Sequence, residues 1–122
     1  MKAELDAIGE VTVVRLIGQV DLETQKNFRT LCLNQLQKGR VVFCLSQLKF
    51  VGSTGLQIFF KTLSELNTEN PHRIKIAGVR LDFLRVLRYS TPELQDVHES
   101  IEGAIQSYFV SAAAMPKILD EN

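Results

Sequence analysis

The hydrophobic positions of the chain alternate between strand-like and helix-like spacing along its whole length. An alternating run over residues 2–7 and a nearly continuous apolar run over 11–17 predict two strands, and Gly9-Glu10 between them predicts a hairpin turn. The short apolar run over 41–45 is typical of a strand buried on both faces of a sheet. Two further strands are predicted over 73–77 and 94–98.

Helical spacing separates these strands. Gly18 is predicted to break the second strand, and Asp21 is predicted to cap a helix that runs to about Gln37. A second helix is predicted to start near Thr54, a short one to follow with its apolar positions at Leu81, Leu84, Val86 and Leu87, and a last one to begin at Glu99 or Ser100 and carry Ile101, Ala104, Ile105, Tyr108 and Phe109.

The resulting order is β-β-α-β-α-β-α-β-α. Strands that alternate with helices predict an α/β fold with a mostly parallel central sheet, and the N-terminal hairpin strand should lie antiparallel at one edge. Residues 1–115 are interpreted as a single domain and residues 116–122 as a C-terminal tail, since Pro116 and the acidic end favour fraying.

Composition narrows the functional classes. Lysine plus arginine and aspartate plus glutamate number 14 each, so no net field favours nucleic acid or an anionic membrane. Cys32 and Cys44 lie in apolar stretches without metal-ligand spacing, and they are interpreted as reduced core residues. No signal peptide or membrane-spanning stretch is found, which predicts a soluble cytoplasmic protein.

Catalysis, a cofactor and a metal site are not expected. His72 and His98 have no carboxylate or thiol at ligand spacing, and both are predicted to be solvated surface residues. The chain contains no GxGxxG, GxxxxGK[ST], HExxH or GxSxG motif.

The most informative stretch is Ser53-Thr54-Gly55 at the start of the second predicted helix. One interpretation is structural: Ser53 or Thr54 caps the helix, and its loss costs about 1 kcal/mol. The other is regulatory: Ser53 is phosphorylated, since a helix N-terminus tolerates an anion. The fold would then survive the modification while a partner docked over that helix end would be expelled.

The chain resembles the STAS domains, and among them the bacterial anti-sigma factor antagonists. The residues that carry the resemblance are the run Leu45-Ser-Gln-Leu-Lys-Phe50 followed by Gly52-Ser-Thr-Gly-Leu56, the upstream Gly18-Gln-Val-Asp21 between the second strand and the first helix, and Gly78-Val79 after a later strand. The resemblance covers about residues 8–110 and implies the STAS fold.

The resemblance also implies a role. Such antagonists bind an anti-sigma factor, often a serine kinase of the ATP-binding type, and a phosphatase reverses phosphorylation of the serine that matches Ser53. The residues expected at the docking face are Asp21, Gly52, Ser53, Thr54, Gly55 and Leu56. The sequence departs from the family at Gly52, where an aspartate is usual, and at Cys44, where relatives often carry Asp or Asn. An alternative is therefore a non-phosphorylated STAS module that acts as a constitutive interaction subunit of a signalling scaffold or lipid transporter.

Overall fold

The computed structural model of the protein describes residues 1–50, 52–94 and 96–109, and of residues 22, 50, 52–54 and 90 the backbone alone. This part of the chain forms β1 (Lys2–Ile8), β2 (Val11–Val20), α1 (Leu22–Gln35), β3 (Arg40–Phe50), α2 (Gly52–Glu69), β4 (Ile74–Ala77), α3 (Leu81–Ser90), β5 (Val97–His98) and α4 (101–109). The predicted order of elements is confirmed. The interpretation of residues 116–122 as a tail concerns positions outside the described residues.

The five strands form one sheet in the order β1-β2-β3-β4-β5. β1 pairs antiparallel with β2, and every other neighbouring pair is parallel. The prediction of a mostly parallel sheet with an N-terminal hairpin strand at one edge is therefore confirmed.

Both faces of the sheet are covered. One face packs against α1, α2 and α3 around a large apolar cluster, in which the ring of Phe28 stacks on Phe59 with centroids 5.0 Å apart. The opposite face carries a smaller cluster of Val11, Val13, Val42 and Ala77, which packs against Ala104 and its neighbours on α4. Strand β3 contributes to both clusters, as its continuous apolar run predicts.

The prediction that Gly18 breaks the second strand is wrong. β2 continues to Val20, and Gly18 pairs with Leu48 of β3 while its φ is +101°. Glycine adopts this φ at little steric cost, so the strand passes through it instead of ending. The register between β2 and β3 shifts between Arg15 and Ile17, which marks a bulge just before the glycine. β3 also extends past the predicted run to Phe50, because β2 provides pairing partners that far.

Two helix details differ from the predictions. α2 begins at Gly52, so Ser53 and Thr54 lie in its first turn and not at its N-cap position. Leu81 was expected on the apolar face of α3, but its side chain is 81 % exposed, because the buried positions of the helix are supplied by Leu87 with the partly buried Phe83 and Val86. The last strand is also shorter than the predicted 94–98, since the sheet takes up only Val97 and His98.

A polar network joins α4 to the sheet. The hydroxyl oxygen of Tyr108 lies 2.8 Å from the carbonyl oxygens of Val41 and of Arg73, so its one proton can be donated to either, and it accepts a hydrogen bond from the backbone N–H of Val41 at 3.1 Å. Lys75, which is 8 % exposed, donates to Asp96 at 2.5 Å and lies over the Tyr108 ring. A buried lysine is thereby paired with a carboxylate, as its low exposure demands.

His98 belongs to the same network. Its Nε2 lies 2.8 Å from Asp96 Oδ1 and 3.3 Å from the Ser107 hydroxyl, and its side chain is only 24 % exposed. The prediction that His98 is a solvated surface residue is therefore wrong, because α4 covers the end of β5. His72 is exposed, as predicted.

Candidate functional site

The candidate site lies at the sheet edge where β2 and β3 end. Val20 and Phe50 are paired in the parallel register of these two strands, so the chain leaves both strands at the same level. Asp21 follows β2 directly, and α2 starts at Gly52 just after β3. The register thus brings together the two segments that the sequence singled out, Gly18–Asp21 and Gly52–Leu56.

Asp21 is an exposed residue that caps α1. Its carboxylate accepts a hydrogen bond from the backbone N–H of Thr24 at 2.9 Å, and Thr24 Oγ1 accepts from the backbone N–H of Asp21 at 3.0 Å. These reciprocal bonds form a capping box, which confirms the predicted cap. The bonds from the backbone and side chain of Thr24 hold the pKa of Asp21 below its ordinary value of 3.8. The carboxylate therefore stays charged at the candidate site at neutral pH.

The first turn of α2 packs closely against β2. A Cβ placed on Gly55 would lie 3.6 Å from the carbonyl oxygen of Val20, which is ordinary van der Waals contact. The carbonyl of Gly55 also accepts a hydrogen bond from the side-chain amide of Gln25, which is 4 % exposed, at 2.6 Å. Helix α1 thus fixes the position of the helix end that carries Ser53.

Gln25 is the residue that the sequence analysis missed. Its Nε2 makes the bond to Gly55, while its Oε1 is buried and has no hydrogen-bond partner in the described part of the chain. It lines a groove of about 580 Å³ between α1 and α2, together with Lys26, Arg29, Ile58, Lys61, Thr62 and Glu65. Helix α1 has many polar residues, and nothing in the sequence distinguishes Gln25 from the others. No sequence signal could therefore have identified it.

The predicted docking residues differ in their access to solvent. Asp21 is exposed, whereas Gly55 is buried and Leu56 is 6 % exposed within the large apolar cluster. The side chain of Leu56 therefore anchors α2 to the core and does not face a partner. Ser53 and Thr54 are the second and third residues of α2, so they lie in its first turn beside the buried Gly55.

The electrostatics of this helix end favour an anion. α2 is 18 residues long, and its first turn carries no acidic side chain. The free N–H groups and the dipole at a helix N-terminus stabilise a negative charge there. Position 52, just before Ser53, is a glycine, so no carboxylate at that position repels an anion at this helix end.

Two other kinds of site are absent from the described residues. Among the described residues, no group of three or more His, Cys, Asp or Glu side chains is arranged to hold a metal ion. None of the helices in the described ranges combines the length and the apolar character needed to cross a bilayer.

Comparison with known proteins supports the fold. The structure of the Bacillus cell fate determinant SpoIIAA in its phosphorylated form matches with a TM-score of 0.58 and 18 % identity, over 86 % of this chain and 97 % of that one. A putative anti-sigma factor antagonist from Thermotoga maritima matches with a TM-score of 0.66 and 12 % identity, over 87 % and 93 % of the two chains. No curated protein matches the sequence significantly.

A third similar structure comes from a larger protein. The murine anion transporter Slc26a9 in its inward-facing state matches with a TM-score of 0.63 and 14 % identity, over 84 % of this chain and 18 % of that one. The family model that matches is the STAS domain, and the match covers residues 2–90. With this match over most of the chain, and with the sheet order and helix positions described above, the chain belongs to the STAS domain family.

Proposed function

We propose that this protein is an anti-sigma factor antagonist of the bacterial cytoplasm. It binds an anti-sigma factor that is also a serine kinase of the ATP-binding type, and phosphorylation of Ser53 weakens the complex. A phosphatase restores the binding form, and the output is a change in transcription. The protein acts by binding and not by catalysis.

The observation that carries this proposal is the position of Ser53 in the first turn of α2, at the edge where β2 and β3 end together. A phosphate there adds roughly −1.5 to −2 charge next to free N–H groups, so the fold tolerates it. A partner docked over the same edge meets that charge directly. Because the hydrogen bond from Gln25 holds the Gly55 carbonyl in the first turn of α2, we expect the switch to need no conformational change.

Asp21 and Thr54 complete the proposed docking edge. Asp21 is exposed, and the cap holds its carboxylate charged, so it can pair with a cation of the partner. Gly52, Gly55 and Leu56 support the edge by shape and by packing. The structural similarity to SpoIIAA and to other anti-sigma factor antagonists is consistent with this role.

The test combines peptide mapping with a binding assay. In protein purified from its own host, the peptide that spans residues 50–61 should carry one phosphate on Ser53. Ser53→Asp should weaken the complex with the cognate ATP-binding kinase by about tenfold or more, because a carboxylate brings part of the phosphate charge to the same place. Ser53→Asn is the matched uncharged control and should bind like the wild type. Equal affinity of Ser53→Asp and wild type would refute the switch.

A second candidate rests on two observations, the glycine at position 52 and the similarity to part of the transporter Slc26a9. In this alternative the chain is a constitutive interaction subunit of a signalling scaffold or a lipid transporter. Ser53 then has only a structural role at the start of α2. Its complex would be indifferent to ATP. Phosphoserine at position 53 in native protein would contradict it.

A further inference from the structure

Helix α3 presents an apolar and cationic surface to solvent. Leu81 and Tyr89 are 81 % and 91 % exposed, while the other exposed large hydrophobic residues of the described chain are between 37 % and 46 % exposed. The two positions are eight apart, so they lie about 12 Å from each other along one side of the helix. Arg85 and Arg88 are exposed on the same side. We call these four residues the α3 outer face.

The exposure of this face is not a failure of packing. The opposite side of α3 is well buried, with Leu87 at 0 % exposure and Phe83 and Val86 packed against the large apolar cluster. The helix therefore turns its apolar side to the core, and Leu81 and Tyr89 remain exposed on the other side. Covering apolar side chains of this size with a second surface lowers the free energy.

The charges on this face are unbalanced. Arg80, at the start of the helix, lies 3.7 Å from Asp82 and over the ring of Phe83, so it already has local partners. Arg85 and Arg88 form no ion pair with any described residue. Because the whole chain carries equal numbers of cationic and anionic side chains, this local excess of positive charge is a property of the face and not of the protein.

We propose that the α3 outer face docks an acidic segment of a protein partner, in which carboxylates pair with Arg85 and Arg88 and apolar side chains cover Leu81 and Tyr89. Arginine and tyrosine are among the residue types that most often contribute strongly to binding at protein interfaces. An anionic membrane is the weaker candidate, because two apolar side chains on a ten-residue helix bury little surface in lipid and the protein has no net positive charge. This inference is independent of Ser53 and of the proposed switch.

The experiment is site-specific photo-crosslinking of the full chain in its own host. A photoreactive phenylalanine analogue at position 89 should crosslink to a protein, and mass spectrometry should map the adduct to a segment rich in Asp and Glu. The same analogue at Phe109, an exposed aromatic residue on α4, is the matched control and should not capture that protein.

Charge reversal completes the test. Arg85→Glu with Arg88→Glu should lower the crosslinking yield from position 89 by about fivefold or more, since like charges then face the partner. Lys2→Glu with Lys38→Glu reverses two exposed cations elsewhere and should leave the yield unchanged. If the reversed helix does not fold, Arg85→Gln with Arg88→Gln gives the same direction of change with less perturbation. Adducts with lipid, with a basic segment or with a second copy of the chain, a yield no higher than at position 109, or a yield insensitive to the arginines would each overturn the proposal.

Discussion

Asp21 has two separable tasks at the residue scale. Its carboxylate caps α1 through Thr24, and in the proposed function it also offers an exposed charge to the partner. Asparagine is as good an N-cap as aspartate but carries no charge. Asp21→Asn therefore removes the charge and keeps the cap, while Asp21→Ala removes both.

The first prediction concerns these two variants. Asp21→Ala should lower the urea midpoint of unfolding clearly, and Asp21→Asn should lower it much less. Because the folded-state pKa of Asp21 is depressed, its carboxylate stabilises the fold above about pH 4, and this contribution is lost as the pH falls through the lowered pKa. The stability of Asp21→Asn should accordingly fall less than that of the wild type below pH 4. Equal acid sensitivity of the two proteins would contradict the assignment.

The residue scale also shows where sequence reasoning reaches its limit. The cap at Asp21 could be predicted, since a capping box involves residues three apart. The bond from Gln25 to Gly55 could not, because it joins residues 30 apart whose proximity exists only after β2 and β3 have paired. His98 was placed wrongly for the same reason, since its partner Ser107 reaches it from a different element.

At the scale of elements, the attachment of α4 depends on the network around Lys75. Burial acts to raise the pKa of Asp96, but the hydrogen bonds from Lys75 and His98 outweigh it, and the pKa is lowered. This carboxylate therefore stabilises the fold above its unfolded-state pKa of about 4, and the contribution is lost as the pH falls further. Burial raises the pKa of Tyr108 to about 12, so its hydroxyl stays protonated and able to donate to the backbone at all ordinary pH values.

The second prediction tests this network. Asp96→Asn should lower the free energy of unfolding at pH 7 by about 1–3 kcal/mol, because it leaves the charge of Lys75 without its partner in a buried position. The side chain of Asp96 is 43 % exposed, and solvent screening sets the lower end of that range. Combining the change with Lys75→Met should recover most of the loss, since no unpaired charge then remains. A double variant as unstable as Asp96→Asn would argue against the pairing.

The order of the helices and strands follows from hydrophobic spacing, but the residues at which they begin and end do not. The strand period and the helix period are local properties, so all nine elements could be predicted from apolar positions. The continuation of β2 past Gly18, the extension of β3 to Phe50 and the start of α2 at Gly52 depend on pairing between strands, which spacing does not encode. The exposure of Leu81 escaped prediction because a periodic leucine normally faces the core.

At the scale of the whole molecule, the two cysteines differ in how deeply they are buried. Cys32 is fully buried, and burial raises the pKa of its thiol to about 12, which outweighs the opposing influence of Arg29. Cys44 is free and only partly buried. The interpretation of Cys32 as a core residue is confirmed, while Cys44 lies at the margin of the core.

The third prediction follows from this difference. With a disulfide reagent at pH 8, Cys44 should react about a hundredfold faster than Cys32, because Cys32 becomes accessible and ionised only when the domain opens as a whole. In Cys44→Ser protein, the reaction of Cys32 should then accelerate with urea in step with global unfolding. Rapid labelling of Cys32 without denaturant would show that α1 opens separately from the sheet.

The strand order of the sheet equals the order of the strands along the chain. Many parallel sheets place a late strand between two early ones, so that the first strands must wait for the last part of the chain. Here each strand pairs with the one synthesised just before it, and the central pair β2 and β3 is complete once residue 50 has been made. Each pairing therefore joins neighbouring parts of the chain, which keeps the contact order low for a mostly parallel sheet and favours rapid folding. Rapid pairing shortens the time for which the strands are without partners, and unpaired strand edges are the part of a sheet that favours aggregation.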